Sequence, residues 1–426
     1  MRLIRIPPRL CHRAVSNRRG IVYSVLLLIV SCLSGCRDDG LRVEQAGEMV
    51  MYGLTSRIPG FDPVRAGDVS SSRAISKIYE GLLQYSYVAR PYQLEPNLAE
   101  SMPEVSPDGL TYTFRIRKGI FFQDDPCFVE HDGKGRELTA NDFVYSIKRV
   151  ADIKNESSGY WAFRNKIPGL DKFREASKAE KPTDYSMEVE GLKAENRYTF
   201  KIRLKHSYPQ LLWVLAMHYA YAVPREAVEY YGDRFLNNPV GTGPYILKSW
   251  RRNYRVVFVR NPKWKETGRV EIYPEDVDRG DVKEDLSADT GKPIPFIDRI
   301  VQYVIDDGST AWLKFVTGDI EFSGISRNNW DAVITQDRHL TGALNEKGIR
   351  LYKSPTLDVF YIGFNMDDPV VGSSPDPETD TRRRKLRQAL TCAFNSKKWV
   401  QFYNNRIIRA RGPIPPGVKG RLDEPS

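Results

Sequence analysis

Hydrophobic positions recur along this chain at two periods, and the switching between them predicts an α/β protein. Met49 to Leu54 reads as a first strand. Ser71 to Gln84 predicts a helix, with Ile75, Ile78 and Leu82 returning on one face and serines in front as caps. Leu110 to Arg117 alternates: Leu110, Tyr112, Phe114 and Ile116 share one side of a half-buried strand entered through a Pro107-Asp108-Gly109 turn. Thr139 to Val150 opens with a capping box, Thr139 and Asp142, and carries Phe143, Ile147 and Val150 on one helical face. Arg197 to Lys205 alternates again, and Tyr254, Val256 and Phe258 mark a further strand.

Ile300 to Ile305 is apolar on both faces except for Gln302, the pattern of a strand covered on both sides. Thr381 to Phe394 predicts a basic-fronted helix with Leu386, Leu390 and Phe394 toward a core. Between Lys265 and Pro295 the chain is charge-rich and without period, as expected of an exposed insertion. A chain of 426 residues, 41% of them hydrophobic, can bury more than one core.

Charge sharpens the picture at the amino end. The formal net charge is +10, but residues 1–35 hold six arginines and no acid. Without them 58 basic residues face 54 acidic ones, a net of +4, so the body lacks the basic excess of a nucleic-acid binder. The arginine-rich start is followed by a 13-residue apolar run, Ile21 to Leu33, too short to span a bilayer. This is the layout of a secretory signal. Leu33-Ser34-Gly35-Cys36 then has the form of a lipobox, which offers the Cys36 thiol for lipidation and small neighbours for peptidase access. Cleavage before Cys36 leaves Cys127 and Cys392, too few for a disulfide scaffold. They are expected to be unjoined.

Enzyme chemistry finds no support. The five histidines show no His-x-x-x-His spacing, and neither a Cys-x-x-Cys pair nor a Gly-x-Ser-x-Gly elbow is present. Gly241-Thr242-Gly243-Pro244-Tyr245 lacks the lysine of a phosphate loop, and Pro244 removes a donor a phosphate would need. Its glycines read as structural. Asp124-Asp125 and Asp367-Asp368 read as turn residues, and His218, in the aromatic run Trp213 to Tyr221, as a core histidine. No metal site and no cofactor are expected.

A series of segments, in order along the chain, carries a resemblance. They are Phe61-Asp62-Pro63, Tyr79-Glu80-Gly81-Leu82-Leu83, Pro96-Asn97-Leu98-Ala99-Glu100-Ser101, Asp108 to Phe114 with Arg117-Lys118-Gly119, and Leu138 to Ser146 with Arg149. Asn238-Pro239-Val240-Gly241-Thr242-Gly243-Pro244-Tyr245 follows, then Arg260-Asn261-Pro262, Gly318-Asp319-Ile320-Glu321, Phe364-Asn365-Met366 and Arg387-Gln388-Ala389-Leu390. Together they resemble family 5 of the bacterial extracellular solute-binding proteins, the oligopeptide- and dipeptide-binding components of ABC transporters.

The resemblance implies a two-lobed, periplasmic-binding-protein-like α/β fold with a mixed α+β domain inserted in the first lobe. Mapped here, residues 1–35 are the lipoprotein signal and 36–45 a tether. Lobe I is 46–87 with 209–293, the inserted domain 88–208, and lobe II 294–426. The family's second lobe runs on past the point matching Gly412 to Gly417, through an aromatic-plus-aspartate motif that pairs the ligand's amino terminus. Ending at Ser426, this second lobe is expected to be incomplete.

The implied function is capture of a peptide as an extended strand between the lobes and delivery to ABC permease subunits, by a monomer held in the periplasm through its lipid. The implied ligand strip is Asp68, Val69, Ser70 and Ser71. The opposite wall is Gly324, Ile325, Phe360 and Tyr361, and the inserted domain contributes near Tyr160 or Trp161. Main-chain hydrogen bonds would give affinity without sequence preference. From the residues themselves, Asp68 to Ser71 also read as a helix N-cap, and Phe360 and Tyr361 as strand core. A binder of nickel chelates, haem or sugars, or a non-transporting sensor or chaperone, are the alternative readings.

Overall fold

The computed structural model describes residues 2–5; 48–270 apart from 88, 90, 91 and 268; the pairs 277–278 and 283–284; and 290–420 apart from 336, 354–357, 404, 416, 417 and 419. The apolar run 21–33 and Cys36 lie outside the described residues, as does most of the charged stretch 265–295.

Strands β1 (Arg2–Arg5) and β2 (Val50–Thr55) come first in the chain. β3 (Leu83–Tyr85), β4 (Leu94–Pro96), β5 (Glu104–Val105), β6 (Thr111–Arg115), β7 (Leu192–Asn196) and β8 (Thr199–Arg203) follow. After β9 (Tyr245–Arg251) and β10 (Arg255–Arg260) come the short β11 (Val277–Asp278) and β12 (Lys283–Glu284). Last are β13 (Arg299–Val304), β14 (Phe322–Gly324) and β15 (Ile349–Tyr352).

The central sheet has the order β2-β13-β10-β9, with β2 and β13 parallel and the other pairs antiparallel. Successive side chains of a strand point to opposite faces, so one sheet can wall two cores. Val256, Phe258 and Ile300 enter the larger core, with Phe61, Ile75, Ile78, Phe114, Phe143 and Phe200. Val257, Val301, Tyr303 and Tyr52 turn to the other face and pack with Phe315, Ile320, Trp330 and Leu351. The two-sided burial expected for 300–305 is therefore met. The sequence reading starts the second lobe at 294, yet β13 is an inner strand of the sheet that holds β2. A two-faced apolar strand announces its burial but not its neighbours.

A separate antiparallel sheet, β5-β6-β8-β7, is covered by a helix, α2, at Ala140–Ala151. Asp142 reaches back to accept from the Thr139 N–H at 2.8 Å, as the capping pair predicts. Phe114 and Phe143 both meet Phe200, with ring centroids 6.3 and 5.9 Å apart. These rings belong to the same core as Phe61, Ile75 and Phe258.

Two expectations change. The helix predicted over 71–84 is shorter: α1 spans Val69–Ile75, and Leu83 already begins β3. Beyond Ile75 the N–H groups of 76–79 still bond back to the helix, but two carbonyls are taken by another segment. The Ile78 carbonyl accepts from Gly243 N, and that of Lys77 from Tyr245 N. The helix at Pro377–Ala393 forms, but Leu386, Leu390 and Phe394 are exposed, Phe394 meeting the Trp399 ring at 5.9 Å. The period of a helix identifies an apolar face without supplying its partner.

A third sheet runs β14-β1-β15, with β1 antiparallel to both neighbours. Arg2 and Arg5, read from sequence as part of a secretory leader, thus lie in a strand here. Among the described residues no helix is long and apolar enough to cross a membrane.

Candidate ligand-binding site

Asp68 to Ser71 lie at the junction where the loop after Phe61-Asp62-Pro63 becomes α1. Asp68 has extended backbone and caps the helix. Its Oδ1 accepts from Ser71 N at 2.9 Å, and its Oδ2 from the Ser71 hydroxyl at 2.5 Å. The Ser72 N–H donates to the Asp68 carbonyl at 3.0 Å. The helix-cap reading of this segment is therefore met. Ser71 is buried and its polar groups are committed, whereas Val69 is 65% exposed and Ser70 half-buried. Among the described residues, no protein acceptor takes the Val69 or Ser70 N–H.

The loop before the strip is held by the inserted region. Arg149 of α2 grips Asp62 with both terminal nitrogens. The Ala66 carbonyl accepts from Ser158 Oγ at 2.9 Å and from His218 Nε2 at 3.0 Å. His218 is buried, its ring 4.0 Å from that of Tyr219, and burial holds its pKa below the usual histidine value against the opposing pull of the Ala66 bond and Asp68. The core-histidine reading of His218 fits this placement.

Tyr160 and Trp161 follow directly. The Tyr160 hydroxyl donates to Asp171 Oδ1 at 2.6 Å, and its ring carries the Arg174 guanidinium at 4.1 Å, both partners on a helix, α3, at Leu170–Ala176. Trp161 is 60% exposed. No hydrogen bond or ring contact among the described residues joins Tyr160 or Trp161 to Asp68–Ser71; the nearby Ser158 reaches the loop at Ala66 instead.

The expected opposite wall is not joined to the strip by any hydrogen bond or ion pair among the described residues. Gly324 ends β14, where a Cβ would meet nothing within 4 Å, and it pairs in register with Arg2. Ile325 packs on the second core. Phe360 and Tyr361 are 85% and 86% exposed and belong to no strand, so the core reading of that pair is corrected. Their apolar run suggests a strand, but in this structure no neighbouring strand accepts its backbone.

The Asn238 to Tyr245 segment is structural, as its glycines suggest. A Cβ on Gly241 would lie 2.1 Å from the Ile78 carbonyl oxygen, and one on Gly243 2.6 Å from it. Thr242 donates to the buried Glu80, which also pairs Arg269. Asp124 accepts from Gly135 N and pairs Lys134 and Lys263. Together these hold its carboxyl at about 2. Asp125 accepts from Cys127 N and the Tyr231 hydroxyl. Cys127 and Cys392 are both free thiols. Among the described residues no cluster of three His, Cys, Asp or Glu side chains could hold a metal.

Sequence reasoning missed Ser158 and Gly159, which sit in a run of small residues with no motif of their own. The description of bacterial extracellular solute-binding proteins, family 5 Middle, matches residues 93–426. The chain belongs to this family. Its members are binding proteins rather than enzymes. The chain is similar to the glutathione-binding protein GsiB of Shigella dysenteriae, 24% identical over 413 residues, which are 96% of this chain and 62% of that protein. It is also similar to the periplasmic oligopeptide-binding protein OppA of Salmonella typhimurium, 30% identical over 221 residues, 51% of this chain and 36% of that one. Among solved structures, Listeria monocytogenes OppA bound to peptide aligns with a TM-score of 0.49 and 21% identity, over 64% of this chain and 46% of its own. The chain spans about six tenths or less of the length of these proteins.

Proposed function

We propose that the protein is the extracytoplasmic solute-binding component of an ABC importer, that its ligands are peptides, and that it is tethered in the periplasm by a lipid on Cys36. Capture shifts an equilibrium between open and closed lobes, and permease subunits read the closed form. The observation that carries the peptide reading is the Asp68 to Ser71 segment. It begins two residues after the Ala66 carbonyl that Ser158 holds, and it offers two adjacent main-chain N–H groups without a described protein acceptor. Uncommitted backbone donors suit an extended ligand whose side chains vary. Family membership supports the binding role, and the names of the glutathione- and oligopeptide-binding relatives are consistent with a short peptide.

Native mass spectrometry of protein purified from its host tests the ligand class. Co-purified masses that fragment as peptides are expected. A haem, metal chelate or sugar in their place overturns the peptide reading. Metabolic palmitate labelling tests the anchor: the label should disappear in Cys36→Ser, and its retention would count against lipidation there.

A further inference from the structure

The Ala66 carbonyl stands two residues before Asp68 and is buried. A carbonyl oxygen has two lone pairs, and both are engaged here, by donors from two distant segments. Ser158 Oγ reaches it from the inserted region, and His218 Nε2 from the turn that begins at Met217. The two donors are tied to each other. Tyr219, adjacent to His218, has its hydroxyl 3.3 Å from Ser158 Oγ. With Ser158 donating to Ala66, the Tyr219 O–H is the donor of that pair. The approach is tight: a Cβ on Gly159 would lie 2.3 Å from the Tyr219 ring, and one on Gly67 3.4 Å from Ser158 Oγ.

We infer that Ser158 and His218 are positioning residues for the Asp68–Ser71 strip, acting on it through the Ala66 carbonyl. The inference rests on the peptide-binding reading of that strip. Asp62 is already held by Arg149 at the upstream end of the loop. The Ala66 pair holds the downstream end, so the main-chain N–H groups of Val69 and Ser70 keep one direction before a ligand arrives. A segment ordered in advance loses less freedom on binding, so releasing it weakens affinity with no ligand contact removed. The inserted region then contributes to binding through its bond to Ala66, besides the surface of Trp161.

Three variants of the full chain test this: Ser158→Ala, His218→Leu and His218→Gln. Hydrogen exchange of the Ser71 and Ser72 amides, both bonded to Asp68, is measured without peptide. Calorimetric titration uses an equimolar tripeptide library. Losing one such hydrogen bond is expected to speed exchange at these amides, and to weaken library binding, by about tenfold in Ser158→Ala and in His218→Leu. His218→Gln should restore both, because its side-chain amide can donate to Ala66 where leucine cannot. Unchanged exchange in Ser158→Ala and His218→Leu, or Gln behaving as Leu, would overturn the inference. Should His218→Leu not fold, Ser158→Ala, which deletes one oxygen, decides. If the unmodified protein binds no tripeptide, the peptide reading fails while the exchange measurement still decides the positioning role.

Discussion

Arg149 and Asp62 form a two-pronged ion pair at 3.0 and 2.8 Å, with side chains only 3% and 5% exposed. Asp62 belongs to the loop that leads to Asp68 and α1, and Arg149 to α2, which covers the β5-β6-β8-β7 sheet. The pair therefore pins two units of the fold together inside one core. Removing one partner leaves the other charge buried and uncompensated. Arg149→Met or Asp62→Leu alone should cost about 3–5 kcal/mol. The double replacement should cost clearly less than the two single costs combined. Urea unfolding of the four proteins measures the coupling, and simple additivity would show that the pair is not acting as a unit.

Gly241 and Gly109 separate two reasons for a glycine. At Gly241 an added methyl meets the Ile78 carbonyl, which is itself bonded to Gly243 N. At Gly109 the backbone has φ of +71° but open space around it. Gly241→Ala should lose about 3 kcal/mol or more, through overpacking against backbone. Gly109→Ala should lose about 1–2 kcal/mol, from the left-handed conformation alone. Thermal unfolding of the two variants should rank them in that order.

His218 gives a pH dependence of known sign. Its pKa is lowered in the folded protein, mainly by burial, so the unfolded chain binds the proton more readily. The associated stability is fully present above the ordinary histidine value of about 6.5 and is lost as pH falls through and below it. His218→Gln should therefore lose less melting temperature than the unmodified protein between pH 7 and pH 5. Identical losses would place the titration elsewhere.

The two described cysteines should behave oppositely. Cys127 is buried, and burial with the Asp125 carboxylate beside it pushes its thiol up, whereas Cys392 is exposed. Alkylation of folded protein followed by peptide mapping should label Cys392 and spare Cys127 until denaturant is added. A mapped disulfide between them would contradict the structure.

Much of this was legible in the sequence because local pattern and tertiary role agree. The capping pair of Thr139 and Asp142, the alternation through Phe114 and Phe200, and the two-faced burial around Ile300 all follow from period and cap chemistry. Legibility failed where a distant partner decides. The helix after Val69 ends at Ile75, and just past it the segment at 243–245 takes the carbonyls of Lys77 and Ile78. Phe360 and Tyr361 are open, and among the described residues no strand pairs beside them. Leu386 and Leu390 mark a face without saying what meets it. At the candidate site the segment Asp68 to Ser71 was placed by the family resemblance, not by its own residue pattern, which marks only a helix cap. The Ser158 and His218 bonds to Ala66 were not legible, since neither residue carries a motif and 59 positions lie between them.

Val69 offers the most direct test of the central claim, that ligand is held by the main chain of this strip. It is the first residue of α1, where proline's fixed φ is compatible with the helix and no intrahelical bond is lost. Val69→Pro thus deletes one outward N–H with little damage to the fold, and Val69→Ala keeps it. Calorimetry with a short-peptide library should find Val69→Pro weaker by roughly tenfold to a hundredfold, about 1–3 kcal/mol, with Val69→Ala close to the unmodified protein. Equal affinities for the two variants, with circular dichroism unchanged, would mean that the strip caps a helix and holds no ligand.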